Sequence, residues 1–189
     1  MLLAIILWSV VVLFPISEIM LAILKRAKPT AAHAEDRGSM RLLWLVIVAS
    51  VVLAVGFQWV PVLRLPISAT LHQALALGLI MAGLAIRWIS ILTLGRLFTV
   101  NVAIHRDHAL VETGLYRHIR HPSYTGLLLA FVGLGVFFGN WLSILVLVVP
   151  ITLAVVNRVA KEETALQNAL GASYTAYCAR TKRLIPGLL

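Results

Sequence analysis

The 26-residue run ATLHQALALGLIMAGLAIRWISILTL (residues 69–94) decides the fold class of this chain, because Arg87 is its only charged residue. About 20 predominantly apolar residues carry an α-helix across a bilayer, and a helix satisfies its own backbone hydrogen bonds in lipid. The whole chain of 189 residues is 61% hydrophobic and only 12% charged. A soluble domain has about 25% charged residues. We therefore predict an all-α, polytopic integral membrane protein.

Four further apolar runs predict the remaining membrane helices and bring the total to about five transmembrane helices. They are Leu2–Leu24, Leu42–Leu63, Ser123–Phe138 and Trp141–Asn157. As a helix, Ser123–Phe138 would be only about 24 Å long, so it either spans a thinned region or turns back inside the membrane. Gly139 and Asn140 favour a tight turn, which would join the last two helices into a hairpin.

The 16 Lys and Arg residues are distributed asymmetrically around these spans. All except Arg64 and Arg87 lie on one side of the predicted membrane domain. Because basic residues accumulate in cytoplasmic loops, we predict the N-terminus outside and the C-terminus in the cytoplasm. The short loops favour a prokaryotic inner membrane. Most of the net charge of +9 is therefore a signal of topology, and we expect no nucleic-acid partner.

The first polar segment on the cytoplasmic side, Gly95–Pro122, contains four of the six histidines. A basic loop of this kind commonly holds anionic lipid head groups. A metal site is another alternative, but no carboxylate or cysteine completes a convincing ligand set, so we predict no metal. Pro122 suits the first turn of a helix, which places His121 at a helix N-terminus. Such an end favours an anion.

The second polar segment follows the last span. Arg158 and Glu162 are one helical turn apart and share a face, where an exposed ion pair is the simplest interpretation. The segment Lys161–Arg180 predicts an amphipathic helix along the membrane or against the core. Its large side chains recur at helical spacing, at Leu166, Leu170, Tyr174 and Tyr177. Packing is the simplest role for this stripe.

Two charges lie inside the predicted spans. Glu18 and Arg87 are both about 9–11 Å from the inner ends of their helices at the rise of an α-helix. Charged side chains within a membrane tend to pair or to face a polar cavity. We therefore expect an ion pair between Glu18 and Arg87, or an Arg87 side chain that faces the active cavity.

Two groups of motifs carry the functional signal. The first combines His108–Val111, Gly114–Arg117 and Arg120–Gly126. The second begins with Arg158, Glu162, Glu163 and Leu166 and continues through Gly171, Tyr174, Tyr177, Arg180 and Pro186. This pattern closely resembles the isoprenylcysteine carboxyl methyltransferase family over about Leu94–Leu189, whereas the N-terminal spans match it only in character.

The resemblance implies an integral membrane methyltransferase that uses S-adenosylmethionine and releases S-adenosylhomocysteine. Its acceptor would be a lipophilic or lipidated substrate from the bilayer, with the carboxylate of a prenylcysteine-like group as the favoured choice. Membrane lipids would surround the protein. One domain, 1–189, would combine three N-terminal spans (1–94) with a cofactor-binding catalytic half (95–189). Alternatives in the same superfamily are a phospholipid or thiol methyltransferase and an NADPH-dependent membrane reductase.

The resemblance also assigns residues to the site. The residues expected to bind the cofactor are His108, Ala109, Leu110, Val111, Tyr116, His121, Pro122, Ser123, Tyr124, Glu162 and Glu163. Arg158 would bind the substrate, and Arg158 and Glu162 would be the catalytic residues. A carboxylate acceptor is already ionised at neutral pH, so no general base is required. Arg158 can hold it through paired N–H donors, and the helix start at His121 can receive the carboxylate of the cofactor.

Overall fold

Six α-helices make up most of the described chain in the computed structural model. The described residues are 1–24, 33–98 and 110–185, without the side chains of 33–37 and 96. The helices are α1 (Leu2–Leu24), α2 (His33–Phe57), α3 (Ala69–Leu94), α4 (Pro122–Phe137), α5 (Trp141–Leu170) and α6 (Ala172–Arg180). Short 3-10 turns lie at Pro61–Leu63, Gly95–Leu97 and Gly114–Arg117. Only isolated β-bridges, and no strands, occur in these ranges, which confirms the predicted all-α class.

Within the described ranges, four helices are long and apolar enough to cross a bilayer, namely α1, α3, α5 and the part Gly38–Phe57 of α2. The shorter apolar helix α4 is the fifth. Large apolar side chains such as Trp8, Leu45 and Leu92 are exposed on these helices, as contact with lipid requires. The chain is therefore a polytopic integral membrane protein, as its composition predicts. The full or re-entrant path of α4 stays a prediction.

Helices α3, α4 and α5 form the centre of the bundle, because α4 packs against both of its neighbours. The contact between α3 and α4 is close because glycines lie in it. A Cβ atom added at Gly83 would lie 2.5 Å from the backbone nitrogen of Ala130, and one at Gly126 would lie 2.6 Å from that of Arg87. On the outside, α1 packs on α3 and α2 packs on α5. These two outer helices flank the centre.

Two helix boundaries differ from the prediction. The apolar run Leu42–Leu63 is not one helix, because α2 ends at Phe57 and Pro61 begins a separate turn; Pro61 has no N–H that could donate to the Phe57 carbonyl four residues earlier. The last helix does not stop at Asn157 but continues to Leu170. Gly171 then breaks the helical path with a φ of +55°. The predicted helix Lys161–Arg180 is thus divided between the end of α5 and α6.

The turn between α4 and α5 confirms the predicted hairpin. Gly139 has a φ of +67°, and the Asn140 side chain accepts a hydrogen bond from the Leu142 N–H at 2.9 Å, which caps α5. The Asn140 amide also donates to the Val60 carbonyl at 3.0 Å. The hairpin turn is therefore fixed to the connection between α2 and α3.

Candidate active site

Residues 181–185, which follow α6, run beside the segment that leads into α4. The Arg120 N–H donates to the Lys182 carbonyl at 2.7 Å, and the His121 N–H donates to the Arg183 carbonyl at 3.0 Å. Pro122 has no N–H, so these bonds occupy the backbone donors just ahead of α4. The Ser123 N–H in the first turn of α4 is not among these donors. The expectation that the helix start itself receives the anion stays a prediction.

A cavity of about 320 Å³ lies between α1, α2 and α4 and reaches α5 and α6. Ligand pockets commonly have about 300–1,000 Å³. The predicted site residues that line the cavity are Leu110, Val111, Tyr116, His121, Ser123, Tyr124, Arg158 and Glu162. Pro122 and Glu163 are not in this lining, and His108 and Ala109 lie outside the described residues. The structure thus brings most of the two predicted segments together around one cavity.

Arg158, Tyr124 and Glu162 form the polar centre of this cavity. Arg158 is only 1% exposed, and its Nε donates to the Tyr124 hydroxyl at 2.7 Å. The Tyr124 hydroxyl donates to Glu162 Oε2 at 3.3 Å. A second Arg158 nitrogen, Nη1, donates to Ser39 Oγ at 3.0 Å. The arginine predicted to hold the substrate is therefore buried, oriented and linked to the predicted glutamate through a phenol.

Ser39 is a site residue that the sequence did not reveal. It lies on α2, its side chain is buried, and it contacts Arg158 far along the chain. A serine near the start of an apolar helix carries no motif, so only the three-dimensional packing identifies it.

Glu163 points away from the cavity lining into a cluster of cationic residues. Its Oε1 accepts from Arg120 Nε at 2.7 Å and lies 3.4 Å from His121 Nε2. Its Oε2 accepts from Arg183 Nε at 2.7 Å. Arg120 also donates through Nη1 to the Thr181 carbonyl at 2.5 Å. Glu163 thus holds His121 and residues 181–185 in place from outside the cavity lining. The sequence predicted that Glu163 would line the cavity, and the structure does not place it there.

The structure brings Glu18 and Arg87 together, as the sequence predicts. Arg87 Nε lies 2.5 Å from Glu18 Oε1, and Arg87 Nη2 lies 2.5 Å from Glu18 Oε2. Arg87 Nη1 donates to Ser123 Oγ at 2.9 Å. Both charged residues also line the cavity, so the two predicted alternatives are both present. One guanidinium thereby joins α1 and α3 to the first turn of α4.

Most of the remaining cavity lining is apolar. Its walls include Val11 and Phe14 from α1, Leu43 and Ile47 from α2, and Phe131 from α4. The lining extends along α4 from Tyr124 to Leu134, about 15 Å at the rise of an α-helix, and includes Phe138 just beyond the end of α4. The cavity therefore joins a polar end to a long apolar part.

Two tyrosines of α6, assigned to packing by their spacing, also line the cavity. Tyr177 is buried, and its hydroxyl donates to the Tyr116 carbonyl at 2.7 Å. Burial raises the pKa of Tyr177 to about 12, so the phenol stays protonated and keeps this bond at neutral pH. The bond fixes α6 to the turn Gly114–Arg117.

Tyr174 differs from Tyr177 because its hydroxyl is buried without a hydrogen-bond partner among the described residues. Burial also raises the pKa of this phenol well above its usual value. His121 Nε2 is the other buried side-chain atom of the described part with no hydrogen bond. Both residues line the cavity. Buried polar groups are normally satisfied. Glu163 Oε1 lies 3.4 Å from His121 Nε2, so the Tyr174 hydroxyl is the one of these two atoms that still needs a partner.

The sequence model of the isoprenylcysteine carboxyl methyltransferase family matches residues 76–168. That segment belongs to this family. The isoprenylcysteine carboxyl methyltransferase segment runs from within α3 to the end of α5, and it includes Arg158 and Glu162. The polar centre described above therefore lies within it.

Curated proteins of the same family are similar to this chain. Protein-S-isoprenylcysteine O-methyltransferase B of Arabidopsis thaliana is 35% identical over 112 residues, which cover 58% of this chain and 57% of the relative. The protein-S-isoprenylcysteine O-methyltransferase of Schizosaccharomyces pombe is 32% identical over 119 residues, 62% of this chain and 50% of the relative. The chain thus matches little more than half the length of these relatives. Both are eukaryotic, so they do not support the predicted prokaryotic origin.

A solved structure of the eukaryotic intramembrane Ras methyltransferase isoprenylcysteine carboxyl methyltransferase has the same fold. It superposes with a TM-score of 0.64 and 22% sequence identity, over 96% of this chain and 65% of the other. The N-terminal helices, which match the family in sequence only by their apolar character, are therefore included in the shared fold.

Proposed function

We propose that this chain is an integral membrane methyltransferase that transfers a methyl group from S-adenosylmethionine to the carboxylate of a prenylcysteine-like acceptor. One observation carries the proposal: a single cavity joins the polar centre of Arg158, Tyr124 and Glu162 to a long apolar part. A substrate with a charged end and a lipid chain is the kind of molecule that such a cavity suits. The family match of residues 76–168 supports the same chemistry.

The residues present fit an S-adenosyl cofactor. The cavity offers Leu110, Val111 and Tyr116 for the apolar and aromatic parts of such a ligand. His121, Ser123, Tyr124 and Glu162 offer polar contacts, and the buried Tyr174 hydroxyl has no hydrogen bond in the described part of the chain. His108 and Ala109 stay predicted cofactor contacts. S-adenosylmethionine would supply an electrophilic methyl group on a cationic sulfonium.

Arg158 is the residue we assign to the acceptor. A guanidinium can hold a carboxylate through two parallel N–H donors, and burial of Arg158 strengthens that attraction. Because the acceptor is ionised at neutral pH, the protein needs only to align the two reactants and exclude water. Glu162 would balance the sulfonium charge or hold a polar cofactor group. Tyr124, hydrogen-bonded to both side chains, fixes their separation.

Glu163 is assigned a positioning role. Its ion pairs with Arg120 and Arg183 hold the segment that carries His121. It thereby acts on the cofactor through His121.

The apolar part of the cavity would receive the lipid chain of the acceptor. Helices α1 and α2 both supply walls, and each also exposes large apolar side chains on its outer face. A lipophilic substrate could therefore reach the cavity from the bilayer, whereas the cofactor would enter from the cytoplasm. This arrangement requires the predicted orientation, with the N-terminus outside and the C-terminus and site at the cytoplasmic side. The inner membrane of a prokaryote stays the predicted location.

Both halves of the chain contribute to one cavity, which supports a single domain over 1–189. The halves meet there because α1, α2 and α3 line the cavity together with α4, α5 and α6. The three N-terminal spans (1–94) thus provide much of the apolar wall. The C-terminal half (95–189) provides most of the cofactor contacts.

The alternative functions are less favoured. A phospholipid N-methyltransferase would place an amine beside the buried guanidinium of Arg158, which attracts anions instead. A thiol methyltransferase would give this arginine no carboxylate to bind. A membrane reductase would need a nicotinamide cofactor, and the reported relatives are named methyltransferases.

The test is a methyl-transfer assay with labelled S-adenosylmethionine and purified protein in lipid. N-acetyl-farnesylcysteine, other lipophilic carboxylates, thiols and amines serve as acceptors. We expect labelled product with the prenylcysteine and none with amines. Calorimetric titrations with S-adenosylhomocysteine and NADPH form the control. Binding of NADPH without S-adenosylhomocysteine would refute the proposal and favour the reductase.

A further inference from the structure

Tyr174 has a feature that neither packing nor the polar centre explains. Its side chain is buried, with only 2% of the residue exposed, and its hydroxyl lacks a hydrogen-bond partner in the described part of the chain. Cys178, one turn further along α6, offers only a thiol, which is a weak partner. A phenylalanine would pack equally well without leaving a buried hydroxyl unsatisfied. The hydroxyl is therefore better explained by a ligand than by the fold.

The charged groups near Tyr174 belong to a cluster that is positive overall. Tyr174 lies within electrostatic reach of Arg120 and Glu163. Glu163 binds two guanidinium groups, those of Arg120 and Arg183, so one carboxylate faces two fixed positive charges. This cluster keeps an excess of positive charge beside the cavity.

Four other donors at this end are already engaged. The N–H groups of Arg120 and His121 donate to carbonyls of residues 182 and 183. The Nε atoms of Arg120 and Arg183 donate to Glu163. Among the fully buried side-chain atoms of the described part, the Tyr174 hydroxyl and His121 Nε2 have no hydrogen bond, and both residues line the cavity. Of these two, His121 Nε2 lies 3.4 Å from Glu163 Oε1.

We propose that the Tyr174 hydroxyl donates a hydrogen bond to the carboxylate of the amino-acid part of the S-adenosyl cofactor. This inference rests on the proposed function, because it concerns the cofactor of that same site. The sequence analysis assigned this carboxylate to the backbone at the start of α4, whereas this proposal assigns it to a side chain of α6. Tyr174 is thereby a binding residue and not only a packing residue.

The experiment compares two ligands and two variants in full-length protein in detergent. The ligands are S-adenosylhomocysteine and 5′-methylthioadenosine, which has the nucleoside but lacks the amino-acid part. Tyr174→Phe removes only the unpartnered hydroxyl. We expect its affinity for S-adenosylhomocysteine to fall about tenfold or more, as for loss of a hydrogen bond to a charged group. Its affinity for 5′-methylthioadenosine should not change.

The ligand-free stability of the variant separates binding from structure. Because the Tyr174 hydroxyl makes no hydrogen bond within the described chain, Tyr174→Phe should keep or raise the thermal midpoint of the ligand-free protein. Tyr177→Phe is the matched control. It loses the bond to the Tyr116 carbonyl at 2.7 Å, so its midpoint should fall while its preference between the two ligands is kept.

The outcomes distinguish a failure of the proposed function from a failure of the inference about Tyr174. If wild-type protein does not bind S-adenosylhomocysteine, the proposed function fails and this inference falls with it. If wild-type protein binds it and Tyr174→Phe binds it equally well, only the inference is overturned. Equal losses for both ligands would also overturn it, because the hydroxyl would then contact the nucleoside. A further measurement needs no variant: equal wild-type affinities for the two ligands would show that the carboxylate is not recognised.

Discussion

The ion pair between Glu18 and Arg87 gives the sharpest test of how the N-terminal helices are held to the site. The change is Glu18→Gln, which keeps the size of the side chain and removes its charge. The wild-type pair has two contacts of 2.5 Å, and its side chains are only 12% and 9% exposed. Solvent therefore screens the pair little.

The expected loss of unfolding free energy follows from these contacts. Hydrogen bonds to charged groups contribute about 1.5–3 kcal/mol each, and a neutral amide keeps about 0.5–1.5 kcal/mol of one of them. The variant also leaves Arg87 charged within the membrane, with Ser123 as a remaining partner. We expect Glu18→Gln to reduce the free energy of unfolding by about 2–4 kcal/mol, because breaking one side of a buried pair leaves a charge uncompensated.

The assay is unfolding of the protein in mixed micelles, followed by helical circular dichroism. Arg87→Gln and the double variant complete a cycle. The double variant should lose less unfolding free energy than the sum of the two single losses. The difference should be about 1–3 kcal/mol, because the double variant contains no unpaired charge. Ser17→Ala is the matched control on α1, since the Ser17 hydroxyl bonds only to the carbonyl of Phe14 one turn earlier.

Two results would refute this reasoning. A loss below about 0.5 kcal/mol for Glu18→Gln, the size of an ordinary surface substitution, would show that the pair does not hold α1. Strictly additive losses in the double variant would show that the two charges do not interact.

Three further predictions concern the site and the contact between α3 and α4. Arg158→Lys should lower kcat/KM for methyl transfer more than tenfold with little change in affinity for S-adenosylhomocysteine, because lysine keeps the charge and loses the paired donors; equal losses in both would contradict the assignment. Glu162→Gln should weaken S-adenosylhomocysteine binding about tenfold by calorimetry, and an unchanged affinity would remove this residue from the cofactor site. Gly126→Ala should destabilise the protein by more than about 2 kcal/mol, since its Cβ would lie 2.5 Å from the Gly83 carbonyl oxygen. Gly78→Ala, with nothing within 4 Å of its Cβ, should leave stability nearly unchanged.

The membrane helices were predictable where apolar composition and helix ends coincide. The bounds of α1 and α3 match the apolar runs residue for residue. The prediction differed at Pro61 and beyond Asn157, because hydropathy reports where a segment is apolar and not where its backbone turns. The break at Gly171 depends on a positive φ, which spacing alone does not specify.

The site was predictable where its residues share one helix. Arg158 and Glu162 are four residues apart, so they point to one side, and both line the cavity. Glu163 follows directly and is rotated by about 100° on the helix, so it faces the cationic cluster instead. Ser39 and Tyr174 could not be assigned from the sequence. The role of Ser39 depends on its contact with Arg158, which arises only when distant segments meet. The role of Tyr174 depends on the lack of a hydrogen-bond partner for its hydroxyl in the described part, which only the packing shows.

The pairing of residues 181–185 with the start of α4 has a consequence for biosynthesis. Thr125 donates to the carbonyl of Leu184, which is 59 residues further along the chain. Proteins are synthesised from the N-terminus at about 5–20 residues per second, so α4 is made seconds before the segment that fixes it. During that interval Arg120 and His121 lack the carbonyls to which their N–H groups donate. This end of the cavity is thus completed late in synthesis, and until then the nascent chain holds a membrane hairpin without the proposed binding site in its final form.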